Sequence, residues 1–143
     1  MTKQDYTKMT WQNLLENPEA IASLFDGAPS LENVDIASIT MDHDGPTVTL
    51  SILLRDFPNK PSPRWKTTGV NAVAMRLQLL GLESLTIEGW SILNRATINI
   101  ERRDADRIQL AAVGQKLRLK CTCGWLRVEG VTGYHREKEA PAG

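Results

Sequence analysis

The stretch DGPTVTLSILL, residues 44–54, decides the fold class of this chain. Apolar and polar residues alternate through it, and the apolar ones are Val48, Leu50, Ile52 and Leu54. Side chains on a β-strand point alternately to its two faces, so this pattern predicts a strand with one buried face. Asp44–Gly45 favours a tight turn just before that strand.

The segment on the other side of the turn alternates in the same way. Residues 34–41 place an apolar side chain at every second position, except at Ala37–Ser38, where the phase changes as a β-bulge would change it. The two segments and the turn between them therefore predict a β-hairpin.

Six further alternating runs follow after residue 70. They are residues 71–81, 82–90, 96–101, 107–113, 116–123 and 125–134. Tight turns join these runs, and no segment with a helical period lies between them. Eight short strands connected in this way predict an antiparallel sheet or sandwich.

The first part of the chain has a helical period instead. Its apolar residues recur at steps of three and four, which places them on one stripe: Trp11, Leu14, Leu15, Ile21, Leu24 and Phe25. Helix is expected only between about Thr10 and Asp26, as two short helices or one helix kinked at Asn17. Pro18 suits the first turn of a helix, with Asn17 as its N-cap.

These patterns predict an α+β fold that is mainly antiparallel β. The N-terminal helical segment would pack on a β-meander or sandwich of about eight short strands. We expect one domain, residues 1–143, with a globular core at residues 10–134 and a polar tail at residues 135–143.

The long connection at residues 56–70, which we call the proline loop, contains Pro58, Pro61 and Pro63. It is too long for a hairpin and suits a crossing between sheets or over the end of one. The prolines limit the freedom of the unfolded chain and withhold N–H groups from strand pairing. With Trp65 anchoring its far end in the core, the loop is predicted to be a stiff cover.

The other tryptophans allow two interpretations. Trp11 lies on the helical stripe and is expected in the core. Trp90 and Trp125 stand at strand ends, where large aromatic residues commonly seal the edge of a sheet. The alternative is a surface that contacts a partner, where tryptophan is a favoured anchor.

Composition places the chain among ordinary soluble globular proteins, with 41% hydrophobic and 24% charged residues. No apolar run approaches the ~20 residues that cross a bilayer, and the N-terminus lacks the apolar region of a secretory signal. The only cysteines are Cys121 and Cys123, which suits a reducing compartment. These features predict a cytoplasmic protein that does not bind a membrane.

The net charge is zero, which argues against nucleic acid as a partner. The charges are unevenly distributed, however. Residues 1–45 contain eight acidic and two basic residues, and the rest of the chain contains nine acidic and fifteen basic residues. Either the two segments lie against each other and balance, or the acidic part attracts a basic partner and accelerates its encounter.

No motif for catalysis or cofactor binding is present. His43 lies among carboxylates in the predicted turn without a nucleophile elbow, and no phosphate-binding glycine pattern occurs. Cys121 and Cys123 continue the alternation of core residues, and a zinc site would need two more ligands at suitable spacing. We therefore expect no enzymatic activity, no metal and no cofactor. Two alternatives stay open: a hydrolase with carboxylates that meet in space, and a carrier with an apolar cavity.

Four stretches in order resemble the immunity protein 50 family, a bacterial family of small proteins encoded beside polymorphic toxins. They are TWQNLLENPEAIASLFDGAPSLENVDIASITM, DGPTVTLSILLRDFP, PRWKTTGVNAVAMRLQLLGLESLTIEGW and VTGY, from about Thr10 to Tyr134. The family pattern falls on Trp11, Pro18, Leu31, Val34, Pro58, Trp65, Asn71, Leu85, Gly89, Trp90, Gly133 and Tyr134, most of which look like fold determinants. The resemblance implies an immunity protein that protects its own cell by binding and neutralising a cognate toxin.

The resemblance and the charge distribution together predict where the toxin binds. Many secreted toxins attack nucleic acid through a basic cleft, so a basic nuclease domain is a candidate partner, and an inhibitor can fill such a cleft with carboxylates. The predicted contact residues are Asp26, Glu32, Asp35, Asp42 and Asp44. The alternative surface is the proline loop with Lys60, Arg64 and Trp65, which would suit an acidic or apolar partner.

Overall fold

Eight strands form the body of the protein in the computed structural model, which describes residues 10–136. In chain order they are β1 (Val34–Asp42), β2 (Thr47–Leu53), β3 (Ala72–Leu80), β4 (Ser84–Glu88), β5 (Arg95–Asp104), β6 (Arg107–Gly114), β7 (Arg118–Cys123) and β8 (Trp125–Tyr134). Each pairing between them is antiparallel. The predicted hairpin, the number of strands and the mainly antiparallel β class are confirmed.

The pairing order β4-β7-β6-β5-β1-β2-β3-β8 requires the sheet to bend back on itself. β3 and β4 are far apart in that order, yet only residues 81–83 connect them. β7 and β8 are also far apart in it, and Gly124 alone separates them. Because an extended residue spans only about 3.5 Å, the strands must form two facing layers, β1-β2-β3-β8 and β5-β6-β7-β4.

The side chains that point inward from the two layers fill the space between them. From the first layer these are Val48, Leu50, Ile52, Met75, Leu77, Leu79, Leu126 and Val128, and from the second Ala96, Ile98, Ile108, Leu110, Ala112, Leu119, Cys121 and Cys123. The alternation in the sequence therefore identified the buried face of these strands correctly, because each apolar run has the two-residue period of a strand.

Within residues 10–136, strand pairing joins the two layers only between β1 and β5. Only Val34 with Ala96 and Asp35 with Arg95 are paired there. The predicted bulge follows: Ile36 pairs with Ile52 and Ser38 with Ser51, which leaves Ala37 without a partner in the ladder. Beyond the bulge β1 pairs with β2 alone.

The N-terminal segment is less helical than predicted. It contains a 3₁₀ turn at Trp11–Leu14 and one short helix, α1 (Glu19–Ala22). Its apolar stripe nevertheless reaches the core, since Leu15, Ile21 and Phe25 are at most 6% exposed. The 3₁₀ turn contacts β5 and α1 contacts β8, so the segment bridges the two layers.

The interruption of the helix has a physical reason, which lies at the edge of β8. Leu15 forms a parallel bridge with Leu126, and the Glu16 N–H donates to the Leu126 carbonyl at 2.8 Å. Asn17 does not cap α1 as predicted. Its side-chain amide donates to the Val128 carbonyl at 2.8 Å and accepts from the Val128 N–H at 2.9 Å. The segment therefore supplies the partners that the backbone of an edge strand lacks.

A second helix, α2 (Pro63–Thr68), lies in the proline loop, so the prediction that helix occurs only near the N-terminus is wrong. Pro63 stands in the first turn, where its fixed φ suits a helix and its missing N–H is not needed. Gly69 ends the helix with a φ of 73°, a value that glycine adopts without strain.

The proline loop connects β2 to β3, which pair directly with each other, so the prediction that it is too long for a hairpin and crosses between sheets is wrong. The loop instead lies against the N-terminal segment. The Lys60 N–H donates to the Leu24 carbonyl at 2.9 Å, and the Ser30 N–H donates to Asp56 Oδ2 at 2.8 Å. Pro58 is buried between these contacts. None of the helices between residues 10 and 136 is long and apolar enough to cross a membrane.

We expect Phe25→Ala to lower the free energy of unfolding by about 3–5 kcal/mol, because the ring is 4% exposed and its removal leaves a cavity. Urea denaturation followed by circular dichroism measures this loss. Ser23→Ala, at an exposed position of the same segment, is the control and is expected to change stability by less than about 0.5 kcal/mol. A loss below about 1 kcal/mol for Phe25→Ala would contradict the role of this segment in the core.

Candidate functional site

The turn between β1 and β2, which we call the acidic turn, carries two of the predicted contact residues. Asp42 ends β1, and Asp44 follows it in the turn. His43 Nδ1 lies 3.3 Å from Asp44 Oδ1, and both side chains are more than nine-tenths exposed. The Thr47 hydroxyl donates to the Asp44 carbonyl at 3.2 Å and fixes the backbone of the turn. Within residues 10–136, neither aspartate forms an ion pair with a lysine or arginine.

Asp26 lies beside the predicted alternative surface rather than beside the acidic turn. Its Oδ1 is 3.6 Å from Lys60 Nζ, and that ammonium group also donates to the Ala22 carbonyl at 2.8 Å. The two surfaces that the sequence presents as rivals therefore meet here and partly neutralise each other.

Asp35 holds the two layers together. Its Oδ1 lies 3.2 Å from Arg95 Nε across the short β1–β5 pairing, and the two side chains are only 20% and 33% exposed. An ion pair in this position links the layers where few backbone hydrogen bonds do. The structure gives Asp35 a partner within the chain, which leaves its carboxylate less available to another protein.

Glu32 is exposed and lies at the opposite end of β1 from the acidic turn. Its N–H donates to the Ser30 hydroxyl at 3.1 Å. At about 3.3 Å per residue, the eight steps along β1 separate its two ends by roughly 26 Å. The five predicted acidic residues thus do not form one cluster. Among these five, Asp42 and Asp44 are the two that lie close together and have no lysine or arginine partner within residues 10–136.

The tryptophan of the alternative surface is engaged in packing. Trp65 on α2 is half-buried, its ring lies 6.5 Å from that of Phe57, and its Nε1 lies against Gly133. A Cβ at Gly133 would come within 2.9 Å of this nitrogen, so the close approach of Trp65 to β8 requires glycine there. Trp65 anchors the proline loop, as predicted, whereas Lys60 and Arg64 are exposed.

Several positions of the family pattern serve the fold. Asn71 accepts from the Arg136 N–H at 2.6 Å and donates to the Arg136 carbonyl at 2.9 Å, which fixes the end of β8. Gly89 has a φ of 73°, and a Cβ there would collide with the Lys116 carbonyl. Leu31 and Val34 are buried in the core.

An apolar loop between β4 and β5 was missed by the reasoning from sequence. Trp90, Ile92 and Leu93 are 44%, 105% and 61% exposed. Buried Asn94 fixes the loop, because its side chain accepts from the Ser91 N–H and donates to the Ser91 carbonyl, both at 2.8 Å. The apolar run without alternation after Gly89 was the signal that could have identified it.

Trp90 and Trp125, for which the sequence allowed either sealing of a sheet edge or contact with a partner, are both exposed. Trp125 is 55% exposed and lies close to Gly81, where a Cβ would come within 2.8 Å of its ring. Trp11 is half-buried, and its Nε1 donates to the Pro29 carbonyl at 3.2 Å. Burial of the indole rings depends on which segments cross the strand ends, and that is not encoded locally.

Comparison with known proteins gives one family. The model of the family described as immunity protein 50 matches residues 17–134. Comparison with the curated proteins gave no match, and comparison with the solved structures gave none either. The match covers β1 to β8, the proline loop and α1.

The two cysteines lie apart from all of these surfaces. Cys121 and Cys123 are fully buried between the layers, as the alternation predicted. Burial, with a smaller contribution from Cys123, raises the pKa of the Cys121 thiol to about 12. Burial also raises the pKa of Cys123 to about 11, although a hydrogen bond from the Trp125 backbone acts in the opposite direction. Among residues 10–136, no three His, Cys, Asp or Glu side chains converge as metal ligands.

These thiols are expected to make the protein less stable at alkaline pH. Their folded pKa values lie above the unfolded value of 9.0, so their contribution is complete below pH 9 and is lost as pH rises toward 11 to 12. The expected loss is on the order of 1 kcal/mol per thiol between pH 9 and pH 10. Urea denaturation at several pH values measures the slope, and Cys121→Ala with Cys123→Ala is expected to make it shallower. Identical slopes in the two proteins would contradict this assignment.

Proposed function

The chain belongs to the immunity protein 50 family, and we propose on that basis that it binds and neutralises a cognate toxin of a bacterial polymorphic toxin system. The match over residues 17–134 is the observation that carries this proposal. Neutralisation by binding needs a rigid surface that complements the toxin, and it needs no catalytic group on this chain. The cell that produces both proteins would be protected in its cytoplasm.

We propose the acidic turn as a principal contact. Asp42 and Asp44 are exposed, and no lysine or arginine occurs between residues 33 and 54 to neutralise them. Asp26 and Asp35, in contrast, already have basic partners in Lys60 and Arg95. An unpaired carboxylate can form a new ion pair with the toxin without first breaking one in this chain.

The two exposed carboxylates of the acidic turn suit a basic partner. Carboxylates can occupy the positions that phosphates take in a basic cleft, which is how an inhibitor would exclude a nucleic-acid substrate. Exposed charges of this kind act mainly on the association rate, which complementary fields can raise by roughly 10 to 10³-fold at low salt. A toxin with a nuclease activity is the candidate that this charge pattern favours.

The interior does not favour the small-ligand carrier considered from the sequence. Leu50, Leu77 and Leu110 are fully buried, and they belong to a set of side chains that fills the space between the layers. Immunity by toxin binding is therefore the function that the fold and the family support together.

Reversing the charge of the acidic turn, with Asp42→Lys and Asp44→Lys, is expected to slow association with the co-encoded toxin domain by about tenfold or more at low salt. It is also expected to reduce the dependence of the association rate on salt, because the attractive field is lost. Stopped-flow fluorescence measures the rate, and thermal unfolding checks that the variant is folded.

The turn between β5 and β6 offers a matched control. Asp104→Lys with Asp106→Lys reverses two exposed carboxylates at the same spacing in another hairpin turn. An equal effect of both double variants would indicate net charge alone and contradict the acidic turn as a contact. If the acidic-turn variant still protects cells and Arg64→Ala does not, the contact lies on the proline loop instead.

A further inference from the structure

Among residues 10–136, no segment pairs with the middle part of the β1 edge that faces away from β2. After the bulge, β1 pairs with β2 over Ser38–Asp42, while β5 has already separated from it. The neighbouring edges have partners over part of their length: residues 15–17 bind the edge of β8, and the Leu31 carbonyl accepts from the Ile98 N–H of β5 at 2.9 Å. A strand edge with unused N–H and C=O groups is a template for another strand.

The direction of the unused groups follows from the alternation of hydrogen bonds along a strand. The Leu54 N–H donates to the Val73 carbonyl, so the backbone groups of the even-numbered residues of β2 point toward β3. The backbone groups of the odd-numbered residues Thr49 and Ser51 therefore form their hydrogen bonds with β1. These two stand opposite Thr40 and Ser38.

On β1, the backbone groups of Ile39 and Met41 must therefore point away from β2. The Ile36 N–H, which has the same direction before the bulge, donates to the Asn94 carbonyl at 3.0 Å. Between residues 10 and 136, no segment outside the ladder with β2 forms a backbone hydrogen bond with Ile39 or Met41.

The side chains along this edge indicate what an added strand would contact. Ile39 and Met41 stand opposite buried Leu50 and Val48, so they face the inner side of the layer. Ile39 is half-buried and Met41 is 65% exposed, which leaves apolar surface for apolar side chains of an added strand.

We propose that the edge of β1 at Ser38–Asp42 takes an extended strand of the toxin by β-strand addition. The strand would carry alternating apolar residues over Ile39 and Met41 and basic residues beside the acidic turn. This inference rests on the proposed function and specifies how the toxin is bound.

Charge selects this occupant over a second copy of the chain. The hairpin of β1 and β2 contains Asp35, Asp42 and Asp44 and no lysine or arginine, so the hairpin of a second copy would bring no basic residue to the acidic turn, whereas a basic strand would. The outer edge of β4, Ser84–Glu88, lies beside β7 with Arg118 and Lys120 and does not offer the same attraction to a basic strand.

Amide hydrogen exchange followed by NMR tests the proposal with the intact protein and an inactivated toxin domain. In the free protein, the amides of Ser38 and Thr40 are expected to be protected and those of Ile39 and Met41 to exchange rapidly. Adding the toxin domain is expected to slow exchange at Ile39 and Met41 by about tenfold or more, and to leave Ser84–Glu88 unchanged.

Three outcomes would overturn the proposal. The first is slow exchange at Ile39 and Met41 in the free protein, including protection that grows with protein concentration as a second copy would cause. The second is a stable complex in which these amides gain no protection while others do, which would leave the proposed function standing. The third is a toxin domain that does not bind at all, which would overturn both proposals.

Met41→Pro provides an independent test. Proline removes the outward N–H of an edge position and leaves the ladder with β2 in place, whereas Met41→Ala removes the same side chain and keeps the N–H. The proline variant is expected to bind the toxin domain about tenfold more weakly than the alanine variant, with similar melting temperatures. Equal affinities of the two folded variants would overturn strand addition. If the proline variant does not fold, the exchange experiment decides.

Discussion

The short connections at one end of the sheet are the constraint on which the rest of the structure depends. Residues 81–83 and Gly124 are too few to cross a flat sheet of eight strands, so β3 leads into β4 and β7 into β8 only if the layers face each other. This closeness allows two sets of alternating apolar side chains to share one core. Where the chain passes between the layers, the Gly124 N–H donates to the Leu80 carbonyl at 2.9 Å.

The two layers are connected by the chain itself at this end of the sheet. At the other end, fewer contacts connect them. Two residue pairs and the Asp35–Arg95 ion pair connect β1 to β5, and the N-terminal segment bridges the remaining gap. That segment gives up much of its helical potential because the edge of β8 needs hydrogen-bond partners. Asn17 is the clearest case, since its amide group binds both backbone groups of Val128 as a neighbouring strand would.

The fold determines where the acidic residues lie and which of them have basic partners. An excess of acidic residues in the first third of the chain is visible in the sequence, but the chain distributes them over two ends of β1 and neutralises some of them. In the part of the chain that the structure describes, Asp42 and Asp44 of the acidic turn have no lysine or arginine partner, and they lie next to the open edge of β1. Charge and open backbone groups thus occur together at one place, which is the physical basis for regarding it as the surface that meets a partner.

The sequence by itself determined the strands, the hairpin, the bulge and the buried positions, including both cysteines, because a two-residue apolar period is a local property of the chain. It also determined the family, since the order and spacing of its motifs run along nearly the whole chain. Only the tertiary structure decided which strands are neighbours, that Asn17 pairs with Val128 and not with α1, and that Trp90 and Trp125 are exposed. It also decided that Asp35 is engaged by Arg95 while Asp42 and Asp44 are not. These outcomes depend on contacts between residues far apart in sequence, and a local pattern carries no information about such contacts.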